Sequence, residues 1–284
     1  VVGQEGAKRI LVNQLKKRRI SPLYVFYGPP GVGKFYTSKI FAQSLNCEKI
    51  KYDACGECRK CKEIEEERNE DFIVISPNKN ENIGINEVKN LKSILSYHVV
   101  WLKTRVVVVK EVDKLTEEAS NSFLKTLEEV PPNTVFILIT EKIENLLPTI
   151  KSRAQLIRFR RLKEEELLTL CGQKISKEEV KLAMGSYTRL KKIISPEGKE
   201  VQKLASQFIE GSGEEKLRII EKVTNLEDFL WHLEGKLVDK LQTTRKEKEI
   251  SSILQKIVSC EEAYIAKTRN VNEKIILYWL RGAM

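Results

Sequence analysis

A chain of 284 residues is long enough for two or three domains and a sizeable core. Charged residues make up 32% of it, with a net charge of +10, a balance that suits either a solvated Lys/Glu-rich surface or one held near nucleic-acid phosphates. No apolar run approaches the roughly 18 residues of a membrane span and no signal-peptide pattern opens the chain, so a cytoplasmic protein without a membrane partner is expected.

In chain order, Leu23–Tyr27 is a short apolar strand that enters a glycine-rich turn, and Thr37–Leu45 follows with helical spacing. Phe72–Ser76 is a second strand. Val106–Val109, four consecutive valines, suits a strand buried on both faces of a parallel sheet. Glu117–Glu129 is a helix that starts after Thr116 as N-cap and stops at Pro131-Pro132, and Val135–Thr140 is a further strand. This alternation predicts a three-layer α/β domain with a parallel sheet. After Arg160 the pattern is helical throughout: Lys163–Cys171, Lys177–Met184 and Tyr187–Ile194, then a break at Ser195-Pro196-Glu197-Gly198. Leu226, Phe229, Leu230, Leu233, Leu237 and Leu241 line one face of a long helix, and Ile253, Leu254, Ile257, Val258 and Ile265 do the same on the next, both read as bundle core.

Gly28-Pro-Pro-Gly31-Val-Gly33-Lys34 has the spacing and the strand-to-helix setting of a phosphate loop. Glycines there let backbone N–H groups close around phosphate oxygens, and Lys34 adds a point charge. Magnesium chemistry needs a Ser or Thr after that lysine and an Asp at the end of a valine-type strand. Phe35 and Lys110 stand in those places. The loop is therefore degenerate: Gly28, Gly31, Gly33 and Lys34 leave nucleotide binding open, while magnesium binding and intrinsic ATP hydrolysis are not expected. Glu111 remains where a water-activating carboxylate belongs, and Asp113 would substitute for the missing Asp only with a shifted register.

Of six cysteines, Cys47, Cys55, Cys58 and Cys61 form a C-x7-C-x2-C-x2-C cluster with Gly56 in its turn. Four thiolates make a closed tetrahedral site for structural zinc, the preferred reading; an iron–sulfur cluster is the rival.

These features, with Val2-Gly3-Gln4, Asn82-Ile-Gly-Ile85, Phe123-Leu-Lys-Thr-Leu-Glu-Glu129 and Leu147-Pro-Thr-Ile-Lys-Ser-Arg153, give a chain that resembles the delta-prime family of bacterial DNA polymerase III clamp-loader subunits, within the AAA+ proteins. The resemblance implies an AAA+ phosphate-loop domain over 1–160 with the zinc module inserted at 46–62. A three-helix lid over 161–197 and a helical collar over 198–284 complete the implied layout.

Ser152-Arg153 matches the start of the family's Ser-Arg-Cys motif, with Ala154 in the third place. That match implies an arginine finger reaching into a neighbouring subunit's ATP site, where bare sequence would suggest only a surface charge. Thr140 roughly matches a polar sensor, and Arg189 falls one place late for a second sensor, so it is not counted as a nucleotide contact. The implied function is that of a non-hydrolysing subunit of a DNA-directed DNA polymerase holoenzyme that helps load a sliding clamp onto primed DNA. Its implied partners are the ATPase motor subunits, the clamp-opening subunit, the clamp and primer-template DNA. The alternatives are an ATP-hydrolysing motor subunit of the same loader, or an autonomous nucleic-acid-dependent ATPase.

Overall fold

The chain enters through α1 (Glu5–Lys17) and drops into β1 (Leu23–Tyr27), whose end opens the glycine turn ahead of α2 (Lys34–Asn46). The cysteine-bearing segment and the short helix α3 (Arg59–Glu65) come next, then β2 (Phe72–Ile75), α4 (Ile85–Leu95) and β3 (Arg105–Val109). The remaining elements of this half are α5 (Glu117–Glu128), β4 (Thr134–Thr140), α6 (Pro148–Arg153) and β5 (Gln155–Arg158). This computed structural model describes residues 1–77, 82–172 and 175–284, which form two compact units: 1–170 with 185–187, and 171–184 with 188–284.

In the first unit the five strands make a parallel sheet in the order β2-β3-β4-β1-β5. Successive side chains point to opposite faces. Tyr24, Phe26, Val106, Val108 and Ile137 therefore pack on one side with Leu11 and Phe41, and Val25, Val107, Val109, Phe136 and Leu138 on the other with Leu91, Phe123 and Leu127. Every residue of β3 and β4 is buried, which is why the valine run carries no polar alternation. Thr116 caps α5 as its sequence predicts, its hydroxyl accepting from the Ala119 N–H at 3.2 Å. Because all strands are parallel, the turns after β1, β3, β4 and β5 share one edge of the sheet. Gly28, Lys110, Glu141 and Phe159 occupy that edge, where open α/β sheets place ligands.

The elements α1, α3, α4, α6 and β5 were not expected from sequence. β5 has four residues, only one of them fully buried, so it presents no apolar run to read.

α7 (Glu164–Cys171) ends the first unit, and its last residue falls in the second. α8 (Lys177–Leu182) and α9 (Tyr187–Ile194) are followed by α10 (Pro196–Glu210), α11 (Gly213–Lys222), α12 (Leu226–Thr243), α13 (Glu247–Thr268) and α14 (Glu273–Ala283). The expected break at Ser195 is an N-cap: its hydroxyl accepts from the Gly198 N–H at 3.0 Å and Pro196 takes the first helical position. In α12, Phe229, Leu230, Leu233 and Leu237 are core, packed with Phe208, Ile253 and Cys260. The α13 stripe requires a correction. Ile253 is buried and Ile257 partly so, but Leu254, Val258 and Ile265 are exposed. At 3.6 residues per turn the helix carries two neighbouring apolar rows, and only one of them meets the core. Among the described residues no helix is long and apolar enough to cross a membrane.

Candidate functional site: phosphate loop, cysteine cluster and arginine

The turn after β1 holds Gly28, Gly31 and Gly33 at φ of 134°, 70° and 93°, conformations that side chains rarely adopt. At Gly28 the demand is steric as well, since a Cβ would sit 2.2 Å from the Phe159 carbonyl oxygen. Gln4 braces the same turn. Its amide donates to the carbonyls of Val32 (3.3 Å) and Arg160 (2.7 Å) while its oxygen accepts from the Arg160 N–H (3.0 Å). Lys34 is buried, and its Nζ donates to the Gly28 and Pro29 carbonyls at 2.5 and 2.6 Å. Burial pushes its pKa below the ordinary lysine value, against the opposing pull of Glu141 and Asp113.

The two departures from the magnesium pattern lie on one another. The Lys110 ammonium stands 3.5 Å from the centre of the Phe35 ring, and Lys39 approaches the same ring at 5.5 Å. A cation over an aromatic face in a partly desolvated site gains about 1–2 kcal/mol. Lys39 is held in turn by the Glu65 carbonyl (2.6 Å) and the Glu67 carboxylate (3.2 Å). Burial lowers the Lys110 pKa, partly countered by Glu67. Magnesium demands oxygen ligands, and neither a phenyl ring nor an ammonium supplies one, so these residues do not fit the ion. Two nearby carboxylates are engaged elsewhere. Asp113 accepts from the Thr140 hydroxyl at 2.9 Å, and Glu111 pairs with Lys114 at 2.7 Å.

The four cysteines converge. Their sulfurs all lie within 4.8 Å of one another, with Cys55 and Cys61 at 3.9 Å. One zinc ion with bonds of about 2.3 Å places its sulfurs about 3.8 Å apart, whereas a cluster spreads thiolates over separate irons. The spacing therefore fits a single ion. The N–H groups of Cys58 (3.2 Å) and Glu57 (3.4 Å) point at Cys55 Sγ and hold that thiol below its ordinary pKa. The Ile50 N–H does the same geometrically for Cys47, at 3.3 Å. Burial pushes the Cys61 thiol up. Gly56, at φ 70°, makes the turn between ligands, and Gln43 of α2 ties the module down by donating to the Cys61 carbonyl at 2.8 Å.

Arg153 ends α6 half-exposed, its guanidinium 3.0 Å from the Glu128 carboxylate. Strand register separates it from its own phosphate loop. Gln155 lies beside Tyr24 and Arg158 beside Tyr27, so Arg153 stands before the start of β5 while Gly28 follows the end of β1. At about 3.3 Å per residue the intervening strand is about 13 Å, beyond the reach of one side chain. Arg189, in the second unit, rests its guanidinium 5.4 Å over the Trp231 ring.

The sequence profile of the family described as DNA polymerase III, delta subunit, matches residues 3–163, more than half of the chain. The chain belongs to this family. Among curated proteins it is similar to DNA polymerase III subunit tau of Bacillus subtilis, 30% identical over 90% of this chain and 44% of that protein. It is also similar to subunit gamma/tau of Mycoplasma genitalium, 30% identical over 80% of this chain and 38% of that one. The chain thus spans less than half the length of these relatives. A solved structure of a DNA polymerase III gamma-subunit-related protein from Thermotoga maritima superposes over 99% of this chain and 98% of its own, with TM-score 0.57 and 23% identity, a likeness of fold.

Two groups of residues have roles at the loop that the sequence did not assign. Gln4 braces the phosphate loop from 156 positions away from Arg160, and its only signal was the short Val2-Gly3-Gln4 match. The partners of Lys39, Glu65 and Glu67, lie in an acidic run that reads as an ordinary solvated face.

Proposed function

We propose that the chain is a non-hydrolysing subunit of a replicative clamp loader, the assembly that places a sliding clamp on primed DNA. The observation that carries this reading is Lys110 seated on the Phe35 ring at 3.5 Å, an ammonium where a metal-bound nucleotide needs a carboxylate and a hydroxyl. Arg153 supplies the contribution to catalysis, in trans. Its exposure, and its distance from the chain's own phosphate loop, support reach into a neighbouring subunit's ATP site, where a guanidinium stabilises charge on the transferred phosphoryl group. Zinc bound by Cys47, Cys55, Cys58 and Cys61 is structural, since four thiolates leave no open position for chemistry. The three short helices over 161–197 act as a lid and the helices over 198–284 as a collar that joins sister subunits; the exposed apolar row of α13 supports the latter.

An ATP-hydrolysing motor subunit of the same loader is the second reading, favoured by the retained glycine turn with Lys34 held on its carbonyls. Phe35 and Lys110 weigh against it.

The tests separate these readings. The purified chain is expected to show no metal-dependent ATP turnover, and a sustained rate abolished by Lys34→Ala refutes the non-hydrolysing role. Arg153→Ala is expected to leave folding intact and slow ATP use by the assembled complex, by roughly a thousand-fold at the site it serves; an unchanged rate removes the trans role. Metal analysis is expected to give about one zinc per chain, and iron in its place refutes the zinc assignment.

A further inference from the structure

The helix that leaves the phosphate loop, α2, buries polar side chains along one face. Lys39, Gln43 and Asn46 are 8%, 2% and 0% exposed, and steps of four and three residues set them in one row. The row holds the cysteine module and its surroundings. The Gln43 amide donates to the Cys61 carbonyl at 2.8 Å and to the Glu65 carboxylate at 3.3 Å. The Lys39 ammonium donates to the Glu65 carbonyl at 2.6 Å and stands 3.2 Å from the Glu67 carboxylate. Asn46, adjacent to Cys47, accepts from the N–H groups of Lys103 and Thr104 and donates to the Thr104 carbonyl. Apolar packing within the module is slight. Apart from Ile64 of α3, which joins the core of the first unit, its buried cluster is Cys47, Cys58 and Cys61, with Ala54 and Cys55 packed on them. A segment with so small a core takes its fold from metal bonds and from the polar row beside it.

The other end of that row is the phosphate loop. Lys39 lies 5.5 Å from the Phe35 ring, which Lys110 covers at 3.5 Å. Glu67 serves both cations, pairing with Lys39 and opposing the fall in the Lys110 pKa. It follows the end of α3 at φ 55°, a conformation uncommon for a residue with a side chain. The end of the helix that carries Cys61 thus supplies the carboxylate that steadies the charges around Phe35.

We propose that Gln43 and Lys39 are positioning residues of the metal site, and that through them occupancy of the four cysteines is felt at the phosphate loop. The inference rests on the zinc reading of those cysteines. Gln43 fixes the backbone of one ligand, and Lys39 fixes the end of the helix that bears it. With the site occupied, α3 is held and the Glu67, Lys39 and Phe35 contacts steady the first turns of α2. With the site empty, α3 keeps only Ile64 and the polar row, and those contacts open more often. The linkage is reciprocal: the factor by which metal favours the closed contacts is the factor by which the closed contacts favour metal.

The test compares the full chain loaded with zinc and stripped by a chelator under reducing conditions, followed by hydrogen exchange. Stripping is expected to speed exchange of the amides over 33–38 by at least about five-fold, while those of Val107 and Ile137, at the centre of the sheet, stay as they were. Gln43→Met keeps the stem and removes the donor. It is expected to lower zinc affinity roughly 10–100-fold in competition with a chromophoric chelator, and to leave the 33–38 amides fast whether or not zinc is bound. Loop exchange unchanged by stripping overturns the proposal, and this comparison needs no variant, so it decides even if Gln43→Met fails to fold. Faster exchange throughout the sheet also overturns it, because the metal then acts on global stability. So does an unchanged zinc affinity in folded Gln43→Met. A chain that takes up no zinc refutes the zinc assignment and this inference with it, whereas a chain that binds zinc with an indifferent loop refutes the inference alone.

Discussion

His232 gives the stability of the second unit a calculable pH dependence. It lies on α12, 2% exposed, its ring 4.8 Å from that of Trp231, and its Nδ1 has no hydrogen-bond partner among the described residues. Burial drives its pKa down from 6.5 to about 4; Asp228 opposes the shift and Lys236 adds to it. The unfolded chain therefore takes up a proton as pH falls through 6.5, while the folded chain resists until about 4. A histidine with a depressed folded value contributes stability that is fully present above 6.5 and is lost as pH falls toward about 4. The full gap is worth about 3 kcal/mol, and by pH 5 about 2 kcal/mol of it is gone. Urea unfolding followed by the fluorescence of buried Trp231, at pH 7.5, 6 and 5, measures the loss. His232→Leu removes both the titration and the unsatisfied nitrogen, so the wild-type chain should lose about 2 kcal/mol more than the variant between pH 7.5 and 5. Subtracting the variant cancels the carboxylates that titrate in the same window. Parallel curves for the two proteins, or an NMR titration of His232 with its midpoint near 6.5, would refute the reasoning.

Two substitutions test the scaffold that positions the site. Gly28→Ala should destabilise the first unit by at least about 3 kcal/mol, because its Cβ meets the Phe159 carbonyl at 2.2 Å and its φ is 134°; a melting temperature within a degree of wild type argues that the turn has another conformation. Asp71→Asn leaves the Arg105 charge buried without its counter-ion and should cost about 3–5 kcal/mol. The same change should loosen the 96–104 loop, seen as faster hydrogen exchange at Val100, Trp101 and Leu102, whose N–H groups the carboxylate now accepts.

How much was legible in advance depended on the range of the interaction. The valine strand, the Thr116 cap and the phosphate loop each rest on neighbours within a few residues, and each was read at or near its place. The cysteine cluster was legible because metal ligands recur at short spacings, and the structure added the convergence of the four sulfurs. The α13 stripe misled because periodicity shows that a face is apolar without showing what covers it.

Composition, spacing and local chemistry by themselves determined the parallel α/β core, the degenerate phosphate loop and the four-thiol cluster. The physical reason is that backbone conformation, ligand spacing and strand burial leave their mark on adjacent residues. Only the tertiary structure decided that Phe35 and Lys110, 75 positions apart in the chain, form one cation–aromatic pair. It alone set Arg153 at the sheet edge away from its own phosphate loop, and tied Asp71 to a loop some 30 residues on. Those contacts come from strand order and register, which bring distant residues together, and no local pattern encodes them.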